Sequence, residues 1–380
     1  MSGLARVEEI YNNRSVVAEE LQSKGNKIFG YFCCYTPVEI LTAASVVPFR
    51  IMGNVRQPIT EADSYLEVIA CPYTRSCLNL AVRGEYDFLE GFILPHACDN
   101  IVKLYDIWRH NIKPLYSHFI NVPHTLSQPS HKFFEADLNY FKKSIESFTE
   151  SEISAKRLNE AIELHNQNRA LVRELYELRK PDPPLISGSE VIKILVAVMS
   201  LPVEEANDLL RDVIKDIESR ENGPKKEPAR LLVYGSEIDN TDFIEMIEES
   251  GANVVMDDLG VGARPFWHDV GISEEPVREL ATRYLEKITC PRTFRGGEGS
   301  HQDDLEVNFG HLRDYARDFN ANGAIIHVMR YCDTFALDLP DAREFLNGIG
   351  LPVIDIEDEY TVMSIQRLKT RVQAFTEMIG

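Results

Sequence analysis

The fold is indicated most clearly by residues 91–120, which read GFILPHACDNIVKLYDIWRHNIKPLYSHFI. The first five, Gly91–Pro95, form an apolar run with the length of a buried strand. Asp99 stands where a helix N-cap is expected, and a helical pattern continues from it to about Trp108. A strand pattern returns over Pro114–Ile120. A strand, a helix and a second strand in this order predict a parallel sheet.

The same alternation of strands and helices occurs in both halves of the chain. Between the halves, apolar residues recur at helical spacing from Ser130 to Lys180, and the polar segment Asn222–Pro228 is typical of a linker. We therefore predict an α/β protein with two doubly wound parallel-sheet lobes joined by a helical segment. The predicted divisions are an N-terminal α/β lobe with an N-terminal helix over residues 1–129, a helical connecting segment and linker over 130–228, and a C-terminal α/β lobe over 229–380.

Size and charge narrow the class of protein. The chain has 380 residues and a formal net charge of −20 at pH 7. A chain of this length usually divides into more than one lobe. Its negative charge disfavours nucleic acid, whose binding requires positive charge. Residues 1–22 lack the apolar core of a secretory signal, and no apolar run reaches the roughly 18 residues that span a bilayer. We therefore expect a cytoplasmic protein that binds neither nucleic acid nor membrane.

Cysteines lie where ligand-binding residues are expected in such a fold. Cys33 ends the first predicted strand, Cys98 follows Gly91–Pro95, and Cys332 follows the predicted strand Ala324–Met329. Ligands of open parallel sheets bind at this carboxyl end of the strands. The odd number of cysteines in a chain expected to be cytoplasmic argues against a disulfide framework. The seven are Cys33, Cys34, Cys71, Cys77, Cys98, Cys290 and Cys332.

Two cysteines are also expected at helix starts. Cys71 precedes Pro72 at the beginning of a predicted helix, and Cys98 precedes Asp99. The free N–H groups and partial positive charge of a helix N-terminus lower the pKa of a thiol and favour the metal-binding thiolate. No close C-x2-C pair of the zinc type occurs, whereas dispersed cysteines could hold an iron–sulfur cubane. Zinc ligation and simple burial of small apolar thiols stay open as alternatives.

Other candidate site residues carry weaker signals. His96 and His327 lie near the cysteine-bearing strand ends, where a structural role is more frequent than acid–base catalysis. Neither His96 nor Glu39 is assigned as a general base. The chain has no P-loop sequence. Four arginines could pair with the phosphates of a charged substrate, although an ordinary solvated arginine is the more frequent case for each. They are Arg75, Arg264, Arg292 and Arg295.

The cysteine-bearing segments together resemble the 2-hydroxyacyl-CoA dehydratase / benzoyl-CoA reductase subunit family. The resemblance extends from about residue 28 to residue 356, and the segments at Cys33 and Cys98 are the most specific. The segments are GYFCCYTPVEI at 30–40, CPYTRS at 71–76, CDNIVKLYD at 98–106, DDLGVGAR at 257–264, CPR at 290–292 and YCD at 331–333.

The resemblance implies a [4Fe–4S] cluster that is held by three cysteines of each subunit. By position these are Cys71, Cys98 and Cys332, with Cys33 and Cys290 as additional candidates. It implies a dehydratase (lyase) that eliminates water from an (R)-2-hydroxyacyl-CoA through a ketyl radical. The alternatives are a subunit of a benzoyl-CoA-reductase-type oxidoreductase, which reduces an aromatic ring, and a non-catalytic electron-relay subunit of such a complex.

The resemblance also implies partners. They are an acyl-CoA substrate, a second homologous subunit in a heterodimer or homodimer, and a separate ATP-hydrolysing iron–sulfur activator that delivers the electron. The absence of a P-loop agrees with ATP chemistry in that activator. Such radical enzymes belong to anaerobic hosts.

Overall fold

The computed structural model describes residues 2–297 and 299–380. It contains two four-stranded sheets with parallel pairing, in the orders β2-β1-β3-β4 and β6-β5-β7-β8. The two predicted parallel-sheet lobes are thus confirmed. The strands of the first sheet are β1 Lys27–Tyr31, β2 Val46–Arg50, β3 Gly91–Pro95 and β4 Tyr116–Ile120. Those of the second are β5 Ala229–Gly235, β6 Ala252–Asp258, β7 Gly323–Met329 and β8 Val353–Asp358.

The helices of the N-terminal lobe differ in one place from the sequence prediction. The sequence pattern predicts a single N-terminal helix over Gly3–Lys24, but Asn13 adopts φ −133° and ψ 37° and divides it in two. A short 3-10 turn, Ala62–Ser64, interrupts the long connection after β2. The helices are α1 Gly3–Asn12, α2 Arg14–Ser23, α3 Val38–Ala43, α4 Pro72–Val82 and α5 Asp99–Asn111.

Four helices connect the lobes. They contact both lobes, since α3 packs on the second of the four and the C-terminal-lobe helix Pro276–Thr282 packs on the first. The domain boundaries at residues 129 and 228 stay a prediction. The four are α6 Gln128–Thr149, α7 Ala155–Glu177, α8 Gly188–Val198 and α9 Val203–Ser219.

The helices of the C-terminal lobe include one that is longer than predicted. The sequence pattern predicts only a short helix over Asp341–Asn347, whereas α13 begins at Asp333 and accommodates Pro340 in its interior. Helix α11 continues into a π-helical turn, Arg283–Lys287. The helices are α10 Asp242–Glu248, α11 Pro276–Thr282, α12 His301–Asp318, α13 Asp333–Gly348 and α14 Val362–Ile379.

The two lobes share a continuous apolar core. Buried residues of β3, α7, β5 and β7 belong to one cluster, represented by Phe92, Val172, Leu231 and Ile326. The central strands are buried on both faces, which explains their unbroken apolar runs. No helix among the described residues is long and apolar enough to cross a membrane.

Candidate functional site

Each sheet has a point at which the strand order reverses. The chain places β2 on one side of β1 and β3 on the other, and it arranges β6 and β7 in the same way around β5. A crevice forms outside the carboxyl ends of strands at such a point. Cys33 follows β1 and Cys98 follows β3, while Glu237 follows β5 and Cys332 follows β7. Both reversals therefore contribute residues to the same region.

A single cavity of about 90 Å³ collects the cysteines of this region. All five cysteines proposed from the sequence as ligands line it, and Cys34 joins them. Cys77 is fully buried inside α4 and does not line it. The five are Cys33, Cys71, Cys98, Cys290 and Cys332.

Three of these cysteines occupy the same local position. Cys71, Cys98 and Cys332 are the N-cap residues of α4, α5 and α13, respectively. Asp99, the N-cap of α5 predicted from the sequence, is instead its first helical residue. Asp99 adds its negative charge at the positive end of the helix, and Cys98 is left to face the cavity. Each of the three sulfur atoms therefore lies beside the first-turn N–H groups of a helix.

The predicted low thiol pKa values are wrong for the metal-free protein. Burial raises the pKa of Cys98 to about 12, although the N–H groups of Ile101 and Asn100 act to lower it. Burial likewise raises the pKa of Cys71 and of Cys332. Desolvation disfavours the charged thiolate more strongly than the helix N-terminus favours it. These thiols become thiolates only when a cation replaces the protons.

A second group of sulfur atoms lines the same cavity. The Sγ atoms of Cys33 and Cys34 are 3.9 Å apart, and the Cys34 thiol also hydrogen-bonds to Cys290. The Cys34 hydrogen bond and the charge of Arg264 lower the pKa of Cys290 to about 7. Cys33 adopts a left-handed backbone with φ of 60° directly after β1. Cys34, which the sequence analysis did not select as a ligand, thus bridges two of its neighbours.

Buried arginines surround the sulfur atoms. Arg50 is 1% exposed and pairs with Glu237 at 3.0 Å, and Arg264 pairs with Asp258 at 3.0 Å. Arg292 instead donates to the main-chain carbonyls of Pro123 and Val122.

Two of the four arginines proposed from the sequence do not line the cavity. Arg295 donates to main-chain carbonyls, including that of Thr293 at 2.8 Å. Arg75 forms an ion pair with Asp63. Its proposed role with substrate phosphates therefore finds no support.

Comparison with known proteins places the chain in a family. The family model described as 2-hydroxyglutaryl-CoA dehydratase, D-component, matches residues 33–379. The chain belongs to this dehydratase component family. The resemblance inferred from the cysteine-bearing segments is confirmed.

Relatives within this dehydratase component family span almost the whole chain. A benzoyl-CoA reductase subunit of Thauera aromatica is 26% identical over 385 aligned residues, which cover 99% of this chain and 97% of the relative. The beta subunit of (R)-phenyllactyl-CoA dehydratase from Clostridium sporogenes is 22% identical, with 97% and 96% covered. The beta subunit of lactoyl-CoA dehydratase from Anaerotignum propionicum is 23% identical, with 99% and 98% covered. These names support a component of a multi-subunit enzyme.

The cavity has the charge and donors that suit an anionic iron–sulfur cluster. The Nε atoms of Arg50 and Arg292 are buried without a partner. Arg292 also forms no ion pair with a carboxylate among the described residues. A buried guanidinium without a counter-charge is costly, and a thiolate-bound cluster supplies that counter-charge.

The described donors do not form a site for a single metal ion. Within residues 2–297 and 299–380, no three His, Cys, Asp or Glu side chains form a mononuclear site. A cubane contains four irons and separates its thiolate ligands more widely than one ion does. The five candidate cysteines around one cavity are the kind of donors that such a cluster would use.

Glu39 and His327, which were considered as acids or bases, are both held by buried hydrogen bonds and ion pairs. Glu39 is buried, and burial acts to raise its pKa, but the charge of Arg169 lowers that pKa to about 2. The hydroxyl of Tyr284 donates a hydrogen bond to the Glu39 carboxylate at 2.8 Å. His327 is buried between Ser236, at 3.1 Å, and Asp358. These contacts leave neither residue available to the cavity.

His96 lies outside the group that lines the cavity and has its ring 4.9 Å from that of His124. Arg50 and Glu237 are cavity residues that the sequence analysis did not select. Both could have been recognised in the sequence as charged side chains at or just after the end of an apolar strand.

Proposed function

We propose that the chain is the iron–sulfur subunit of a 2-hydroxyacyl-CoA dehydratase that eliminates water from an (R)-2-hydroxyacyl-CoA. The observation that carries the proposal is that Cys71, Cys98 and Cys332, from separate parts of the chain, line one buried cavity between the two lobes. Family membership supports the enzyme class. The low identity to the relatives leaves the acyl group unassigned.

The same three cysteines would hold a [4Fe–4S] cluster. First-turn N–H groups lie beside each sulfur, those of Thr74, Ile101 and Phe335 among them. Hydrogen bonds to cluster sulfur atoms are one means by which a protein sets the reduction potential. Cys33 and Cys290 line the same cavity and are the additional candidates for a ligand.

When bound, the cluster would supply a single low-potential electron and an iron without a protein thiolate. The chain itself excludes water with an apolar wall that includes Phe32, Ile101 and Phe335. Arg50 and Arg292 place positive charge beside the cavity. That charge would stabilise negative charge that develops on a thioester carbonyl, which is the group these enzymes activate.

The partners are part of the same proposal. The relatives are named as individual subunits, two of them as beta subunits, which favours assembly with a second homologous subunit. The chain has no P-loop sequence, so ATP hydrolysis would belong to a separate iron–sulfur activator. We propose a cytoplasmic complex in an anaerobic host.

A second candidate function is supported by one observation. The benzoyl-CoA reductase subunit matches 99% of the chain at 26% identity, similar to the dehydratase subunits. The same cavity could serve ring reduction of an aromatic CoA ester. A relay role, in which the cluster passes an electron to a partner subunit, uses the same ligands.

The first experiment is anaerobic purification with measurement of iron, sulfide and the EPR spectrum. We expect about four irons per chain. Iron should be lost in Cys98→Ser and retained in Cys77→Ser, because Cys77 is buried outside the cavity. Colourless protein without iron would refute the cluster and with it the proposed function.

The second experiment separates the candidate reactions. The complex with its partner subunit and activator is given ATP and either a panel of (R)-2-hydroxyacyl-CoA esters or benzoyl-CoA. Formation of an enoyl-CoA supports the dehydratase, and a ring-reduced ester supports the reductase. Turnover that persists when the cluster of this chain alone is removed would refute a catalytic or relay role.

A further inference from the structure

One side chain contacts the segments of all three N-cap cysteines. Asn100 is in the first turn of α5, two residues after Cys98, and its main-chain N–H faces the Cys98 sulfur. Its Oδ1 accepts a hydrogen bond from the N–H of Cys71 at 3.2 Å. Its Nδ2 donates to the carbonyl of Tyr331, the residue before Cys332, at 3.4 Å.

Cys71 needs this contact more than the other two cysteines do. Cys98 and Cys332 each lie three residues after a strand of a sheet, so the sheets fix their positions. Cys71 instead ends a connection of 21 residues after β2, residues 51–71, in which the 3-10 turn is the only regular element described. Its N–H has no main-chain acceptor among the described residues, and Asn100 supplies the acceptor.

The segment that leads into Cys332 also has an unusual backbone conformation, which the hydrogen bond from Asn100 supports. Tyr331 adopts a left-handed backbone with φ of 63°, which is uncommon for a residue with a side chain. The following peptide carries Cys332, and the Cys332 N–H bonds to the carbonyl of Met329 at 2.9 Å. The bond from Asn100 to the Tyr331 carbonyl therefore fixes the peptide plane that leads directly into the cysteine.

We propose that Asn100 is a positioning residue that holds the Cys71 and Cys332 segments against the Cys98 helix and so preorganises the three sulfur atoms for cluster binding. Preorganisation lowers the entropy cost of binding, because the ligands no longer have to be gathered when the cluster enters. The inference rests on the proposed function. It concerns retention of the cluster and does not make Asn100 a catalytic residue.

The test compares two variants with a matched control. Asn100→Ala removes both side-chain bonds, whereas Asn100→Asp keeps an acceptor for the Cys71 N–H and loses the donor to Tyr331. Asn111→Ala is the control, since Asn111 is an exposed asparagine in the last turn of the same helix and bonds only to the local carbonyl of Ile107, at 2.8 Å. The variants are made in the full chain with its partner subunit, and each is purified anaerobically.

Two readouts do not depend on turnover. The first is the rate at which a ferrous-iron chelator removes iron. We expect an increase of about tenfold in Asn100→Ala, as loss of two long hydrogen bonds allows, and no change in Asn111→Ala. The second is hydrogen exchange of the Cys71 amide in the metal-free chain. Exchange should accelerate in Asn100→Ala and stay slow in Asn100→Asp, which a general loss of stability would not produce.

The outcomes separate this inference from the proposed function. Wild-type protein that takes up no iron refutes the proposed function and this inference with it. Wild-type protein with a full cluster, together with unchanged iron release and Cys71 exchange in Asn100→Ala, refutes the inference alone. Equal acceleration in Asn111→Ala would also overturn it, because the effect would then belong to the helix and not to Asn100.

Discussion

Arg50 and Glu237 form a 3.0 Å ion pair that joins the two lobes at the wall of the cysteine cavity. Arg50 ends β2 of the first sheet, and Glu237 follows β5 of the second. The two partners differ in burial, because the side chain of Arg50 is 1% exposed and that of Glu237 is 21% exposed. Removing one partner should therefore have a different effect from removing the other.

Glu237→Ala should lower the free energy of unfolding by about 3 kcal/mol, because it leaves the Arg50 charge buried without a partner. Arg50→Met should cost less, since methionine fills the buried space and the partner left unpaired, Glu237, has the more exposed side chain. The measurement is urea denaturation of the metal-free chain under reducing conditions. Asp208→Ala, which removes an exposed pair with Arg211, is the control and should change stability by less than about 1 kcal/mol. Equal costs at Arg50 and Glu237 would contradict this account.

Gly260→Ala should also disrupt the Arg50–Glu237 ion pair, in this case by displacing Glu237. A Cβ at position 260 would overlap the carboxylate of Glu237, which would have to move away from Arg50. We expect a loss of stability similar to that of Glu237→Ala, and the double variant should be no less stable than either single variant, because both changes remove one interaction. Gly348→Ala, where the added Cβ meets nothing within 4 Å, is the matched control. Additive costs in the double variant would refute the shared cause.

Stability should decrease as pH falls from about 6.5 towards 4, in part because of His165. Burial lowers the pKa of His165 to about 4, whereas an unfolded histidine titrates near 6.5. In this window the unfolded chain binds the proton more readily than the folded chain, so acid favours unfolding. His165→Gln should reduce the loss between these pH values by up to about 3 kcal/mol. The measurement is the urea midpoint at several pH values, and His110→Gln serves as an exposed control.

An identical pH profile in His165→Gln and wild type would contradict this assignment. Part of the pH dependence should remain in the variant, because burial also lowers the pKa of His118 and of His268 to about 4.

Arg292→Gln should lower the reduction potential of the proposed cluster. The guanidinium is buried beside the cavity without a carboxylate partner, so its charge favours the form of the cluster that has gained an electron. Loss of one such charge should shift the potential downward by tens of millivolts, on the order given by Coulomb interaction at an effective dielectric constant near 20. A redox titration followed by EPR measures the shift. Arg317→Gln on the exposed face of α12 is the control, and an upward shift in Arg292→Gln would refute the argument.

The sequence predicted those features that depend on neighbouring residues. Strand Gly91–Pro95 was predicted with its observed bounds because an apolar run lies there between a glycine and a proline. The break at Asn13 and the early start of α13 were missed, since the first has no strong breaker and the second contains Pro340.

Features that join distant parts of the chain were not predictable from spacing. Strand ends indicated that Cys33, Cys98 and Cys332 lie at one edge of their sheets, but they did not indicate which charges surround them. The Arg50–Glu237 pair links residues 187 apart, and the Asn100–Tyr331 bond links residues 231 apart. Burial also reversed the expected direction of the thiol pKa shifts, because it depends on packing that a local pattern does not contain.

The distribution of the cavity cysteines over the chain also constrains biogenesis. Cys71 and Cys98 leave the ribosome long before Cys332, which lies 234 residues after Cys98. For the proposed ligand set, a nascent chain therefore lacks one donor throughout synthesis of the segment between them. Cofactor insertion would then have to wait for the C-terminal lobe, and a product truncated before Cys332 would be incapable of it.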